Sequence, residues 1–286
     1  MLRTFIAVLC FLILPSCENE KPITYKSNLK VEEDFDFSFE WLDTEQETNS
    51  SLFEEVCFEE TFNKTQKAKN QKAEFTLDEI KVIGRAVAGV SKWKKRYGVW
   101  WECGKAYETD EEIENLALLY VVQIFRSVKN ISDESFKLNP WGMLGLVANE
   151  SFFDRCALGL YPRKKAYELG IIKKRKACIS HTEKEILTAV NHPKMRKYFY
   201  RTGFDLGVGQ MLSRFYSEEQ SYEKQIELVY GCNETARELR NRAFWTRSKN
   251  GPSKEPWLFW RGSATPWYAA KIRRWAQRFG ARKDEI

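Results

Sequence analysis

The chain has 286 residues, 43% apolar and 14% aromatic, which suffices for one sizeable core or two small ones. Its net charge of +6 joins two unlike parts: residues 18–60 hold 14 acidic and 3 basic residues, whereas residues 61–286 hold 42 basic and 26 acidic. A basic body points to an anionic partner, and the lack of zinc-type Cys/His spacing or a nucleic-acid motif argues against both a metal centre and nucleic acid.

Residues 1–17 read as an export signal. Arg3 supplies the positive end, and Phe5 to Leu14 is a ten-residue apolar run, too short to span a bilayer as a helix. Leu14-Pro15-Ser16-Cys17 follows and resembles the bacterial lipobox, with Cys17 as the lipidation site. An ordinary cleaved signal peptide is the alternative. A lipidated chain is expected at the periplasmic face of a bacterial membrane, the outer membrane in the first instance, held through its lipid anchor. Residues 18–75 then form an acidic tether, with Phe35, Phe37, Phe39 and Trp41 alternating with polar residues. Without Cys10 and Cys17, five cysteines remain: Cys57, Cys103, Cys156, Cys178 and Cys232. An odd number leaves one unpaired or paired between chains. Pairing of Cys156 with Cys178 and reduced core thiols are both open.

Residues 76–286 read as one mainly α-helical domain. Thr76 and Glu79 have capping-box spacing, and a helix runs through Ile80, Ile83, Val87 and Val90. A second helix opens at Thr109 and carries the i, i+3, i+4, i+7 stripe of Ile113, Leu116, Tyr120, Ile124 and Val128. Asn139-Pro140 starts a third, which is apolar from Trp141 and ends at Glu150. A carboxylate at the dry end of a buried helix suits acid catalysis, because burial raises its pKa and lets it hold a proton near neutrality. A surface Glu closing a core helix is the plain alternative.

After Glu150 the pattern breaks. Basic runs at Arg163 to Lys165 and Lys173 to Lys176 are either solvated faces or contacts to an anionic polymer. A further helix begins at His181-Thr182-Glu183 and stops at His192-Pro193. His181 and His192 read as surface or capping residues rather than ligands. Gly203, Gly207 and Gly209 mark turns, and no Lys-Ser/Thr follows to make a P-loop. Helices return over Glu227 to Ala243 and Tyr268 to Phe279. Between them, Trp257, Phe259, Trp260 and Trp267 would stack on sugars if exposed and serve as core if buried.

This order of features resembles the lytic transglycosylase (SLT) domain of the lysozyme-like superfamily, which is similar to goose-type lysozyme. Glu150-Ser151 matches the family's helix-ending Glu-Ser, Gly207-Val208-Gly209-Gln210 its Gly-Leu-Met-Gln element, and Tyr268 the Tyr that opens the last helix. Leu258-Phe259-Trp260-Arg261-Gly262 only echoes the Ala-Tyr-Asn-Ala-Gly element. The resemblance implies a lysozyme-like α-helical domain with an irregular or small β insertion after the catalytic helix. It also implies cleavage of the β-1,4 bond between N-acetylmuramic acid and N-acetylglucosamine in peptidoglycan. Glu150 would be the single acid/base, giving a 1,6-anhydromuramyl product without a cofactor. Ser151, Gly207, Gln210, Phe259, Trp260 and Tyr268 are the expected substrate contacts. A hydrolytic muramidase and a non-catalytic, membrane-tethered peptidoglycan-binding module are the alternatives. The gap between Glu150 and Gly207 exceeds the family pattern, so residues 161–201 form an insertion. Asp154 and Asp205 are candidates for a second carboxylate.

Overall fold

The computed structural model describes residues 74–174, 180–201, 203–212, 222–245, 252–261 and 264–286. The signal segment, Cys17, nearly all of the acidic tether, Cys57 and Cys178 lie outside the described residues. The described chain is mainly α-helical, with nine helices and two small two-stranded sheets. None of its helices is long and apolar enough to cross a membrane.

Helix α1 (Leu77–Lys95) starts at the Thr76/Glu79 capping box read from the sequence. Glu74 and Phe75, assigned above to the tether, are already docked: Phe75 is buried in the core and Glu74 pairs with Arg126. The antiparallel hairpin β1 (Trp100–Glu102) and β2 (Lys105–Tyr107) leads into α2 (Asp110–Ile131), which has its own Thr109/Glu112 box. Helix α3 (Pro140–Ser151) begins where Asn139 accepts hydrogen bonds from the backbone of Trp141 and Gly142, with Pro140 in the first turn.

Helix α3 is the axis of the main core. Trp141 to Ala148 are buried without a break, as expected of a helix that is apolar all round. It packs on α2, on the 3-10 turn Pro256–Phe259 and on α9 (Pro266–Arg278). Two glycines permit this approach: a Cβ at Gly142 would fall 2.1 Å from the Trp257 ring, and one at Gly145 would fall 2.5 Å from the Ile272 carbonyl oxygen. Between these elements lies α8 (Leu228–Trp245), packed on α2 and on the 3-10 turn. A second 3-10 turn, Lys283–Glu285, ends the chain, and Arg85 of α1 clasps Glu285 at 2.6 Å.

The stretch after α3 builds a smaller core of its own. Helices α4 (Leu160–Glu168), α5 (Glu183–Asn191) and α6 (Pro193–Tyr198) occupy the stretch expected to be an insertion. Hairpin β3 (Asp205–Leu206) and β4 (Met211–Leu212) and the short α7 (Tyr222–Gln225) follow. Leu158, Ala166, Ile186, Met195, Phe199, Phe204, Leu206 and Ile226 fill this second cluster. Both histidines are structural. His181 is buried with its Nε2 at 2.8 Å from the Tyr167 hydroxyl, and His192 caps α6 through Nδ1.

Neither reading left open for Cys156, a pair with Cys178 or a reduced core thiol, is the one found. Cys156 is joined to Cys103. Both cysteines flank one anchor, since Asp154 Oδ1 accepts from the backbone N–H of Cys103 and of Cys156, each at 3.0 Å. Sequence spacing could not show this, because the hairpin carrying Cys103 reaches Cys156 only through the fold. Cys232 is a buried free thiol.

Candidate active site

Glu150 sits in the last turn of α3 with its side chain only 7% exposed. Its two oxygens differ. Oε1 accepts from the Tyr268 hydroxyl, from Asn149 Nδ2 at 3.0 Å and from an Arg261 guanidinium nitrogen at 3.4 Å. Oε2 has no hydrogen-bond partner among the described residues, so one oxygen is anchored while the other is available to a ligand. Burial, and then the Glu150 charge, hold the Tyr268 hydroxyl well above its ordinary value, which keeps it a donor to that carboxylate.

Tyr268 reaches Glu150 because α9 lies along α3 and places Tyr268 in its first turn, buried. Arg261 arrives by a different route. Buried Arg242 of α8 donates to the carbonyls of Phe259 and Trp260 while its Nε pairs with Glu238 at 2.8 Å. That fixes the turn from which Arg261 projects, over the Tyr268 ring at 5.1 Å. Arg261 is the sole charge in the run Pro256 to Gly262. A lone charge in an aromatic stretch is the sequence signal for Arg261, which is not among the site residues expected above.

Asp205 lies at the start of the β3–β4 hairpin and is partly exposed. Its backbone carbonyl accepts from Gly159 N–H at 2.8 Å, and its side chain rests on Gly159, where a Cβ would come within 2.5 Å of Asp205 Cβ. Gly159 is therefore the residue that admits this carboxylate. Burial first, and the Glu150 charge second, push Asp205 up to about 6, with Arg261 opposing. Its carboxylate makes no hydrogen bond or ion pair among the described residues. Asp154, the other candidate carboxylate, faces away into the core. It is committed to the two cysteine N–H groups and to the charge of buried Lys94.

The turn after Glu150 is held from below. Phe152 and Phe153 both adopt left-handed backbone, φ 55° and 57°, which is costly for bulky residues. Lys94 Nζ donates to the Phe152 carbonyl at 2.7 Å, and Trp100 Nε1 to the Phe153 carbonyl at 3.3 Å. The Lys94 ammonium also lies 4.4 Å from the Trp100 ring centroid. Burial pulls Lys94 down to about 7 and pushes Asp154 up to about 7, and the opposite charge of each offsets the burial of the other. Tyr120 and Arg155 complete the support: the Tyr120 hydroxyl donates to Glu102 at 3.1 Å and accepts from Arg155 N–H at 3.0 Å, and Arg155 pairs with Glu102 at 2.9 Å.

Of the residues read from the sequence, Glu150 and Tyr268 are brought into direct contact. Ser151 is buried and its hydroxyl donates back to the Val147 carbonyl at 3.0 Å, so it braces the helix rather than Glu150. Gly207, at φ 79°, and Gln210, at φ 45°, form the β3–β4 turn, closed by Gln210 N–H on the Gly207 carbonyl at 3.1 Å. The Gln210 side chain is half-buried and makes no hydrogen bond among the described residues. Trp260 is 8% exposed with the Arg242 guanidinium 5.1 Å from its ring centroid, and Phe259 is half-buried. Both belong to the scaffold under Arg261, whereas Trp267 is the exposed aromatic beside Tyr268. Among the described residues, one cluster has metal-ligand proximity, Cys103, Asp154 and Cys156, and its two sulfurs are spent in the disulfide. No protein-family model, curated protein or solved structure matches this chain.

Proposed function

We propose that this protein is an enzyme that cleaves the β-1,4 bond between N-acetylmuramic acid and N-acetylglucosamine in peptidoglycan, acting as a lytic transglycosylase with Glu150 as its acid and base. The observation that carries this reading is the asymmetry of Glu150: Oε1 is anchored by Tyr268, Asn149 and Arg261, and Oε2 is left for a substrate. The lysozyme-like motif order described above, from Glu150-Ser151 to Tyr268, supports it. So does the basic body, which suits an anionic wall.

In this reading a proton on Glu150 Oε2 passes to the glycosidic oxygen as its bond to the muramyl C1 breaks. The positive charge at C1 is met by the substrate's own N-acetyl oxygen, one of the recognised departures from the two-carboxylate scheme. The muramyl 6-hydroxyl then bonds to C1, and its proton returns to Oε2. Tyr268 and Arg261 stabilise the carboxylate between these steps by donating to Oε1. No cofactor is required. Export, lipidation at Cys17 and an acidic tether reaching from the outer membrane belong to the same proposal. The Cys103–Cys156 bond is compatible with an oxidising compartment.

Asp205 favours a second reading, hydrolysis by a lysozyme-type muramidase. A carboxylate without a protein partner that feels the charge of Glu150 could direct water to C1 in place of the 6-hydroxyl. Mass spectrometry of muropeptides released from purified sacculi separates the two: anhydro ends identify a transglycosylase and reducing ends a hydrolase. Glu150→Gln is expected to abolish release, a loss of at least about a hundredfold, while sedimentation with sacculi persists. A fully active Gln variant would refute the role of Glu150.

A further inference from the structure

The insertion has an outer face that the cleavage chemistry does not use. Its inner side packs Ala166, Met195 and Phe199 into the smaller core. Its outer side exposes three tyrosines, Tyr161 at 60%, Tyr198 at 49% and Tyr200 at 83%. Tyr161 and Tyr198 touch and Tyr200 follows two residues on; exposed aromatics gathered in this way mark an interaction surface more often than scattered ones do. Two of them are fixed in place. The Tyr161 and Tyr198 hydroxyls lie 2.7 Å apart, and the Tyr161 ring stands edge-on to buried Phe199 at 5.8 Å between centroids. The face is thus largely preorganised, which lowers the ordering cost of binding.

Its charge is one-sided. Residues 160–168 carry three basic residues and one acid, and residues 193–201 carry four basic residues and no acid. Helices α4 and α6, which supply these residues, pack on each other. Lys165 Nζ lies 4.6 Å from the Tyr198 ring centroid, while Lys164 and Lys197 are exposed. Helix α4 begins directly after Gly159, whose backbone supports Asp205, so Tyr161 is two residues from a contact of the candidate active site.

We propose that this tyrosine–lysine face is a second binding surface for peptidoglycan, holding a strand away from the bond being cut. Tyrosine rings offer flat apolar faces to pyranose rings, and the surrounding lysines and arginines pair with stem-peptide carboxylates. The surface answers both features of the polymer, sugar faces and regularly spaced negative charge. The choice of polymer rests on the function proposed above, but the binding does not depend on Glu150 chemistry. The acidic aromatic segment within residues 18–60 is the rival occupant of the same charge class.

The test is sedimentation with purified sacculi in a Glu150→Gln background, which keeps the polymer intact. Tyr200→Ala and the pair Lys164→Glu/Lys197→Glu change exposed side chains only, so folding, checked by circular dichroism, is expected to persist. A triple Tyr161→Ala/Tyr198→Ala/Tyr200→Ala variant gives the full effect. The expected result is an apparent Kd weakened about tenfold in the triple variant and in the charge pair, with added salt erasing the difference for the charge pair alone. Unchanged sedimentation in all variants overturns the proposal. It is equally overturned if the tyrosine variants leave sacculus binding unchanged once residues 18–60 are deleted, since the face then serves the chain's own segment alone. Release of muropeptides by the Glu150-intact protein is scored separately. Binding loss without any release refutes the cleavage reading and leaves this surface standing, and release with unchanged binding refutes this surface alone.

Discussion

Glu150 and Asp205 form an asymmetric pair of carboxylates. Glu150 is anchored by three donors to Oε1, and Asp205 has no partner among the described residues. This difference has a consequence for stability. Asp205 moves from an ordinary 3.8 to about 6 in the folded protein, so folding takes up a proton between those values. Stability therefore falls as pH rises through that window, and the penalty is complete above it. Asp205→Asn removes the penalty. The variant is expected to be more stable than the parent by about 1–3 kcal/mol at pH 8, with the difference vanishing near pH 4, as urea denaturation at both pH values would report. A gain that persists undiminished at pH 4 would show that burial and the Glu150 charge are not its cause.

At the scale of elements, α3 and the turn after it act together. The helix is buried throughout, so its end can be held only by groups that are buried as well. Lys94 on α1 supplies the main one, bonding the Phe152 carbonyl in a left-handed stretch and facing Asp154. Lys94→Met keeps much of the side-chain volume and removes both interactions, leaving a buried carbonyl and a buried carboxylate without their cation. It is expected to cost roughly 2–4 kcal/mol in chemical denaturation and, under the proposed function, to lower muropeptide release as the turn relaxes. A neutral effect would mean that the aromatic packing of Trp93, Trp100 and Phe153 holds the turn unaided. The existence of α3, its start at Asn139-Pro140 and its end within a residue of Glu150 were legible in the sequence, because an unbroken apolar run between Pro140 and a charge has few other solutions. The Lys94 support was not legible, because a lysine in the last turn of a helix ordinarily reads as a solvated, dipole-favoured end.

At the scale of the molecule, the main core and the smaller core meet at Cys103–Cys156, which ties the β1–β2 hairpin to the start of the insertion across 53 residues. Closing a loop of that length constrains the unfolded chain. Replacing both cysteines with Ala is expected to lower stability by roughly 2–4 kcal/mol in urea titration under non-reducing conditions. Because the bond lies next to Asp154 and not on Glu150, the proposed function implies that loss of stability exceeds loss of muropeptide release at low temperature. Equal stability of the parent and the double variant would show that the two cores dock without the covalent tie.

The helical class, the capping box at Thr76, the helix starts near Thr109 and Thr182, and the placing of Glu150 at a helix end could all be read from the amino-acid order. These follow from periodicity and local hydrogen bonding, which act over a few residues. It also singled out Tyr268, through a motif order rather than through any local rule. Which groups meet Glu150 follows from long-range packing. Arg261 depends on Arg242 reaching across from α8, and Asp205 depends on Gly159 yielding space to it. It likewise turned Ser151 back into its helix, buried Trp260, and joined Cys156 to Cys103 instead of Cys178. Each of these is a contact between residues far apart in the chain or a choice between burial and exposure. Such outcomes are set by how whole faces pack, and composition and spacing do not encode them.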